Sequence, residues 1–173
     1  IERNAMSMKT IPQSLNIRSF ILENFEQAVL TKDEADRNAL MNFVLVGAGP
    51  TGVELAGALA EMKKEILQKD YPDLDISKMQ INLIQSNDRV LNTMSEKSSI
   101  AAEKFLDNLG VKVWKNVRVT NYDGRTISTN TDLSIESLTV IWTAGVQGAI
   151  VHGLDAKSLV ERVERIRVNR FNQ

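Results

Sequence analysis

The sequence holds 173 residues, 43% apolar and 25% charged, an ordinary globular composition that excludes a disordered chain and fits one domain. Lys and Arg number 21 against 22 Asp and Glu, so the net charge of −1 lacks the basic excess of a nucleic-acid binder or a polybasic membrane binder. The absence of cysteine excludes disulfides, thiolate metal sites and cysteine nucleophiles within these residues, and no apolar run approaches the ~18 residues of a membrane span.

Residues 1–13 end near Pro12 and read as an incoming connection. Ser14 to Leu30 then carries Ile17, Phe20, Ile21, Phe25, Ala28 and Val29 at helical steps, with Ser14 as the N-cap. Thr31 to Asn38 is charged and reads as a helix end or a short linker. Asn42 to Val46 is a run of strand formers, as expected of a strand buried on both faces of a parallel sheet. A helix over roughly Gly52 to Gln68 follows, burying Val53, Leu55, Ala56, Leu59, Ala60, Met62, Ile66 and Leu67. Tyr71-Pro72 breaks that pattern, and Gln80 to Ile84 reads as a second strand. Ser95 caps a helix over Glu96 to Leu109 that stops at Gly110, and Val111 to Trp114 is a third strand. Val117 to Thr120 and Thr126 to Ser128 alternate on either side of the turn signal Asp123-Gly124. Leu138 to Trp142 is a last apolar strand, closed by Thr143-Ala144-Gly145. The expected architecture is a three-layer α/β, Rossmann-like domain, with a parallel sheet flanked by helices and a small antiparallel β-meander.

The sharpest feature is Gly47-Ala48-Gly49-Pro50-Thr51-Gly52, a GxGxxG that follows a strand and opens a helix. Gly47 permits the tight turn, Gly49 lets a pyrophosphate approach the backbone, and Gly52 lets the helix pack closely on the strand. The phosphates of a dinucleotide would sit at the helix N-terminus, where free N–H groups and the helix dipole favour an anion. Pro50 suits the first turn because its missing N–H costs nothing there. The second strand normally ends in an acidic residue for the adenosine ribose, but here it is followed by Gln85-Ser86-Asn87. A neutral Gln85 still hydrogen-bonds ribose hydroxyls while removing repulsion against a 2′-phosphate, which weakens a preference for NADH over NADPH. Arg89 offers a cation for that phosphate, or is simply a surface arginine.

The stretch Val44-Leu45-Val46-Gly47-Ala48-Gly49-Pro50-Thr51-Gly52-Val53-Glu54-Leu55-Ala56-Gly57 resembles the nucleotide domain of type II NADH dehydrogenases, flavin-dependent NADH:quinone oxidoreductases. Met62-Lys63-Lys64, Asp70-Tyr71-Pro72, Met94-Ser95-Glu96-Lys97 and Ile141-Trp142-Thr143-Ala144-Gly145-Val146 continue the resemblance. So do Lys9-Thr10-Ile11-Pro12 and Leu22-Glu23-Asn24-Phe25-Glu26 upstream. The resemblance implies that Gly49, Pro50, Thr51 and Gly52 hold a pyrophosphate, with Gly47 shaping the turn. It implies that Glu54 stands near the nicotinamide ribose and flavin edge as the catalytic-site residue. Gln85, with Ser86 beside it, takes the ribose position usually held by Glu. Val119 would contact adenine, and Ala144 and Gly145 would line the nicotinamide end. NADH would pass hydride to an FAD bound mostly outside this chain, and the reduced flavin would reduce a quinone at the cytoplasmic face of the membrane.

These residues contain one glycine fingerprint, and both ends read as cut from a larger protein. The expectation is therefore an incoming connector and helix over 1–40, a NAD(P)H-binding domain over 41–150, and a returning segment over 151–173 toward an FAD domain. Such a piece would bind NADH without turnover on its own and would tend to self-associate. A stand-alone nucleotide-sensing module is the alternative, as is the nucleotide domain of a flavoprotein disulfide or sulfide:quinone reductase. No metal site or nucleic-acid partner is expected: His152 is the only histidine. The arginines at 162, 165, 167 and 170 alternate with Glu161 and Glu164 as on a solvated face. Trp114 and Trp142 read as packing, and Thr51 and Glu54 also suit a plain helix start.

Overall fold

The computed structural model describes residues 3–145, 152–155, 158–160 and 165–171. Val146, Glu161, Arg162 and Glu164 lie outside the described residues. In chain order the elements are β1 (Met6–Ser7), α1 (Ile11–Leu30), α2 (Glu34–Leu40), β2 (Asn42–Val46) and α3 (Pro50–Met62). Next come a π turn (Lys63–Leu67), the single turn α4 (Gln68–Asp70), a 3-10 turn (Ile76–Lys78), β3 (Gln80–Ile84), α5 (Glu96–Asn108) and β4 (Lys112–Trp114). The remainder is β5 (Val119–Tyr122), β6 (Thr126–Thr129), β7 (Ser134–Glu136), β8 (Thr139–Trp142), β9 (Leu159–Val160) and β10 (Arg165–Ile166).

The main sheet has five parallel strands in the order β1-β8-β2-β3-β4. Its central strands alternate between two cores. Phe43, Leu45, Ile81, Leu83 and Ile141 face a layer made by α1, α3 and α5. Val44, Val46, Ile84 and Val140 face the antiparallel meander β5-β6-β7, whose Val119, Tyr122, Ile127 and Ile135 close that side. Period-2 alternation thus separates a helical face from a β face, which is the expected three-layer arrangement. Asn82 interrupts the apolar run of β3, and its amide is satisfied in place. It donates to Asn42 Oδ1 at 2.8 Å and accepts from Trp114 Nε1 at 2.9 Å.

Several local expectations change. The first helix starts at Ile11, not after Ser14, because Thr10 and Gln13 form a capping box and Pro12 sits in the first turn, where it needs no donor. Val29 is exposed rather than on the core stripe. The charged stretch after Leu30 contains α2, capped by Asp33 and held by Arg37, which donates to the carbonyls of Ala28 and Thr31. The helix expected from Gly52 starts at Pro50, and its π turn shifts the phase, so that Leu67 reaches the core while Ile66 points outward. Strand β1 lies within the stretch expected to be an incoming connection, and β7 is a strand for which the sequence carries no expectation. The helix over Glu96–Asn108 keeps its Ser95 cap and its left-handed Gly110 stop.

Phe25 ties the helical layer to the sheet. It is fully buried, stacked on Phe43 with ring centroids 5.8 Å apart and tilted against Tyr71 at 5.3 Å. The contact joins α1, β2 and the segment after α4, and aromatic pairs of this kind add to plain area burial. Phe25→Ala is expected to lower the unfolding free energy by about 3–5 kcal/mol, read as a shift in the urea midpoint at constant slope.

Candidate functional site

Parallel strands send their following loops to one edge of the sheet. The glycine turn after β2, the Gln85–Met94 segment after β3 and Thr143-Ala144-Gly145 after β8 therefore meet. The turn reverses direction at Gly47, φ +108°, a backbone region that side chains disfavour. A Cβ on Gly47 would also lie 2.7 Å from the Ala144 nitrogen. At Gly52 a Cβ would lie only 1.9 Å from the Gly47 carbonyl oxygen and 2.9 Å from Thr143 Oγ1. These two glycines are demanded by packing between the turn, the start of α3 and the loop after β8.

Gly49 differs. Its φ of −74° suits any residue, and a Cβ there would meet no atom within 4 Å. Neither strain nor packing accounts for the missing side chain, and the space in front of the turn is open. Gly49 is also the N-cap of α3 and supplies no side-chain hydrogen bond, whereas Thr10, Asp33 and Ser95 cap α1, α2 and α5 with their own oxygens. The first N–H groups of α3 are left without a side-chain partner, at the positive end of the helix dipole. Thr51 is exposed beside them, and its hydroxyl makes no hydrogen bond among the described residues. An open approach, uncapped N–H donors and the dipole together suit a phosphate group.

Two flanks hold the turn in this shape. On the β8 side, the Thr143 N–H donates to the Val46 carbonyl at 2.9 Å. Its hydroxyl lies 2.8 Å from the Gly47 carbonyl oxygen and 3.1 Å from that of Val46, sharing one proton between them. On the β3 side, Gln85 Oε1 accepts from the Ala48 N–H at 3.1 Å, and the Leu91 N–H donates to the Ala48 carbonyl at 2.8 Å. Leu91 does so at φ +48°, one of two non-glycine residues in the left-handed region among the described residues.

The expected site residues fall into two groups. Gly47, Gly49, Pro50, Thr51, Gly52, Gln85, Ala144 and Gly145 share the sheet edge, and Ser86 is exposed next to Gln85. Gln85, expected to face ribose, is buried and spends its acceptor on the turn itself. Val119 is packed between the meander and the sheet, at 6% exposure. Glu54 is exposed and lines a shallow groove between α3 and α5 with Gly57, Ala58, Glu61 and Phe105. Its carboxylate makes no hydrogen bond or ion pair among the described residues. Trp114 and Trp142 pack against the meander core, and His152 is exposed. Thr143 and Leu91 were not anticipated as structural partners of the turn. The hydroxyl ahead of Ala144-Gly145 was visible in the sequence, but its acceptors come from a strand some 97 residues away.

Residues 6–173 match the family described as pyridine nucleotide-disulphide oxidoreductase. The chain is 37% identical over 171 residues to the type II NADH:quinone oxidoreductase Ndh of Mycobacterium tuberculosis, covering 95% of this chain and 37% of that protein. It is 34% identical over 145 residues to the mitochondrial external alternative NAD(P)H-ubiquinone oxidoreductase B1 of Solanum tuberosum, covering 80% of this chain and 25% of the relative. The fold matches a structure of NDH2 from Plasmodium falciparum in complex with NADH, with a TM-score of 0.80 and 22% identity, over 86% of this chain and 31% of that one. The chain thus spans between a quarter and little more than a third of the length of these curated relatives.

The glycine geometry separates two substitutions. Gly52→Ala should cost more than about 2 kcal/mol of stability, because backbone must move to admit the Cβ. Gly49→Ala should leave stability within about 1 kcal/mol of the parent, since its backbone conformation suits alanine. Thermal unfolding of both variants followed by circular dichroism checks the contrast; equal losses would contradict it.

Proposed function

The chain belongs to the pyridine nucleotide-disulphide oxidoreductase family, and from that premise we propose that it is the nucleotide-binding domain of a flavin-dependent NADH:quinone oxidoreductase. The observation that carries this reading is Gly49: a glycine that neither strain nor packing requires, set at an uncapped helix start. The uncapped N–H groups of α3 would hold the pyrophosphate, with Thr51 adding a hydroxyl donor. Ala144, in contact with the glycine turn, and Gly145 next to it would bound the nicotinamide end. Glu54 is assigned to the nicotinamide ribose and the flavin edge, where an unpaired carboxylate one turn into α3 is free to accept. The dinucleotide, when bound, supplies a hydride to an FAD held mostly by the rest of the parent protein. Reduction of a quinone at the cytoplasmic membrane face belongs to that larger protein. In this chain, no helix among the described residues is long and apolar enough to cross a membrane.

Residue 85 is uncharged, so no carboxylate at the end of β3 repels a 2′-phosphate, which favours admission of NADPH alongside NADH. Titration of the chain with each nucleotide, followed by protein fluorescence, should give dissociation constants within tenfold of each other, a difference below about 1.4 kcal/mol. Gly49→Ala should weaken both by tenfold or more while the fold persists. Absence of binding by the parent chain would remove this reading.

Contact with an FAD domain and self-association of the separate chain draw support from α1. Ile11, Leu15, Leu22 and Val29 recur at steps of four and seven along it, and all are exposed. Light scattering should show a mass that rises with concentration; a constant monomer mass would contradict self-association.

A further inference from the structure

Both backbone groups of Ala48, the residue between the first two glycines, are taken by the segment that follows β3. Its N–H donates to Gln85 Oε1 at 3.1 Å, and its carbonyl accepts from the Leu91 N–H at 2.8 Å. Leu91 reaches that carbonyl from a left-handed conformation that a bulky aliphatic residue rarely adopts, which marks the contact as imposed by its surroundings. Gln85 is itself firmly placed. Its N–H donates to the Trp114 carbonyl at 2.8 Å, and its carbonyl accepts from the Val117 N–H at 3.0 Å. The residue is 7% exposed, and the far side of its amide, Nε2, faces the Arg89 carbonyl at a long 3.5 Å.

The side chain therefore lies between an N–H and a carbonyl. An amide suits both, because it carries one acceptor and one donor in the same plane. A carboxylate of equal length would accept from Ala48 but turn its second oxygen toward the Arg89 carbonyl. It would do so buried, at a position only 7% exposed.

We propose that Gln85 is a positioning residue of the glycine turn: its amide fixes the Ala48 peptide, and through it the direction of the N–H groups at the start of α3, rather than holding ribose. The proposal rests on the nucleotide-binding reading of that turn and assigns this residue a different task within it. A brace of the turn acts on the pyrophosphate, which NADH and NADPH share. Its loss should weaken both nucleotides by the same factor. A ribose ligand would behave otherwise: Gln85→Glu would tighten NADH and loosen NADPH.

The test uses the whole 173-residue chain. Hydrogen exchange of the Ala48 amide is measured without nucleotide, and NADH and NADPH are then titrated into the parent, Gln85→Met, Gln85→Asn and Gln85→Glu. Met removes the acceptor at similar length; Asn keeps the amide but draws it back by one methylene, and carries the test if Met does not fold. In either variant the Ala48 amide should exchange about tenfold faster while the β2 amides stay protected. Affinities for the two nucleotides should fall together, by roughly three- to tenfold, in Met and Asn; in Glu both should fall, NADPH further because the new carboxylate repels its 2′-phosphate. Unchanged Ala48 exchange in Met and Asn would overturn the proposal, and so would a Gln85→Glu variant that tightens NADH and loosens NADPH. A parent chain that binds neither nucleotide, with Ala48 exchange accelerated in Met or Asn, would leave the brace standing and remove the functional reading instead.

Discussion

The structure turns on one close approach of backbone to backbone. The start of α3 comes so near the turn out of β2 that a single carbon on Gly52 would lie 1.9 Å from the Gly47 carbonyl oxygen. That distance sets the angle at which α3 leaves the sheet, and the same helix then packs Ala56, Leu59 and Ala60 into the helical core. It also brings the uncapped end of α3 to the carboxyl edge of the strands, where the loops after β3 and β8 can reach it. Thr143 clasps the turn from one side, and Gln85 with Leu91 from the other. Fold and candidate site share one constraint: the packing that needs Gly47 and Gly52 is what leaves Gly49 facing open space.

The two faces of the sheet support this edge differently. On one face, long helices bury large apolar side chains, with Phe25 bridging α1, β2 and the Tyr71 segment. On the other, a small meander with Ile127 at its centre covers the same strands. Polar residues within this layer are paired in place. Tyr122 donates its hydroxyl toward the carbonyls of Gly124 and Ser137, and burial pushes its phenol up to about 12. Arg125 joins Asp36 at 2.6 Å and Glu136 at 3.4 Å, tying the meander to α2 at the surface. Such exposed pairs add little stability each. Packing on both faces therefore holds the strands, and the loops at their carboxyl ends inherit a rigid base.

Much of this was legible in the sequence, and the reason differs by element. Asn42–Val46 and Gln80–Ile84 appear over the expected residues, because the last four positions of each, buried on two faces, leave little room for polar residues other than a paired Asn82. The helix over Glu96–Asn108 was marked by its own cap and stop. Strands β1 and β7 were not, since two or three residues carry no period and become strands only through their partners β8 and β6. The π turn was hidden for another reason: Lys63–Leu67 is an ordinary helical sequence, and the extra residue in its turn shows only as Ile66 facing out and Leu67 facing in. At the site, the glycines were legible because their lack of a side chain is itself the signal. Thr143 and Leu91 were not, because their roles are defined by carbonyls distant in the sequence.

Gln85 illustrates the limit more sharply. Its position at the end of β3 points to ribose, since that is where an acidic residue usually stands. Position alone does not assign the role; the groups on either side of the side chain do. Here one neighbour is a donor, Ala48 N–H, and the other an acceptor, the Arg89 carbonyl. That pair is matched by a neutral amide and mismatched by an ion, whatever ligand lies beyond. The loss of charge at this position therefore has a cause inside the protein as well as a consequence outside it. A residue that cannot be charged without breaking its own support also cannot repel a phosphate, so internal fit and an uncharged end of β3 follow from the same chemistry.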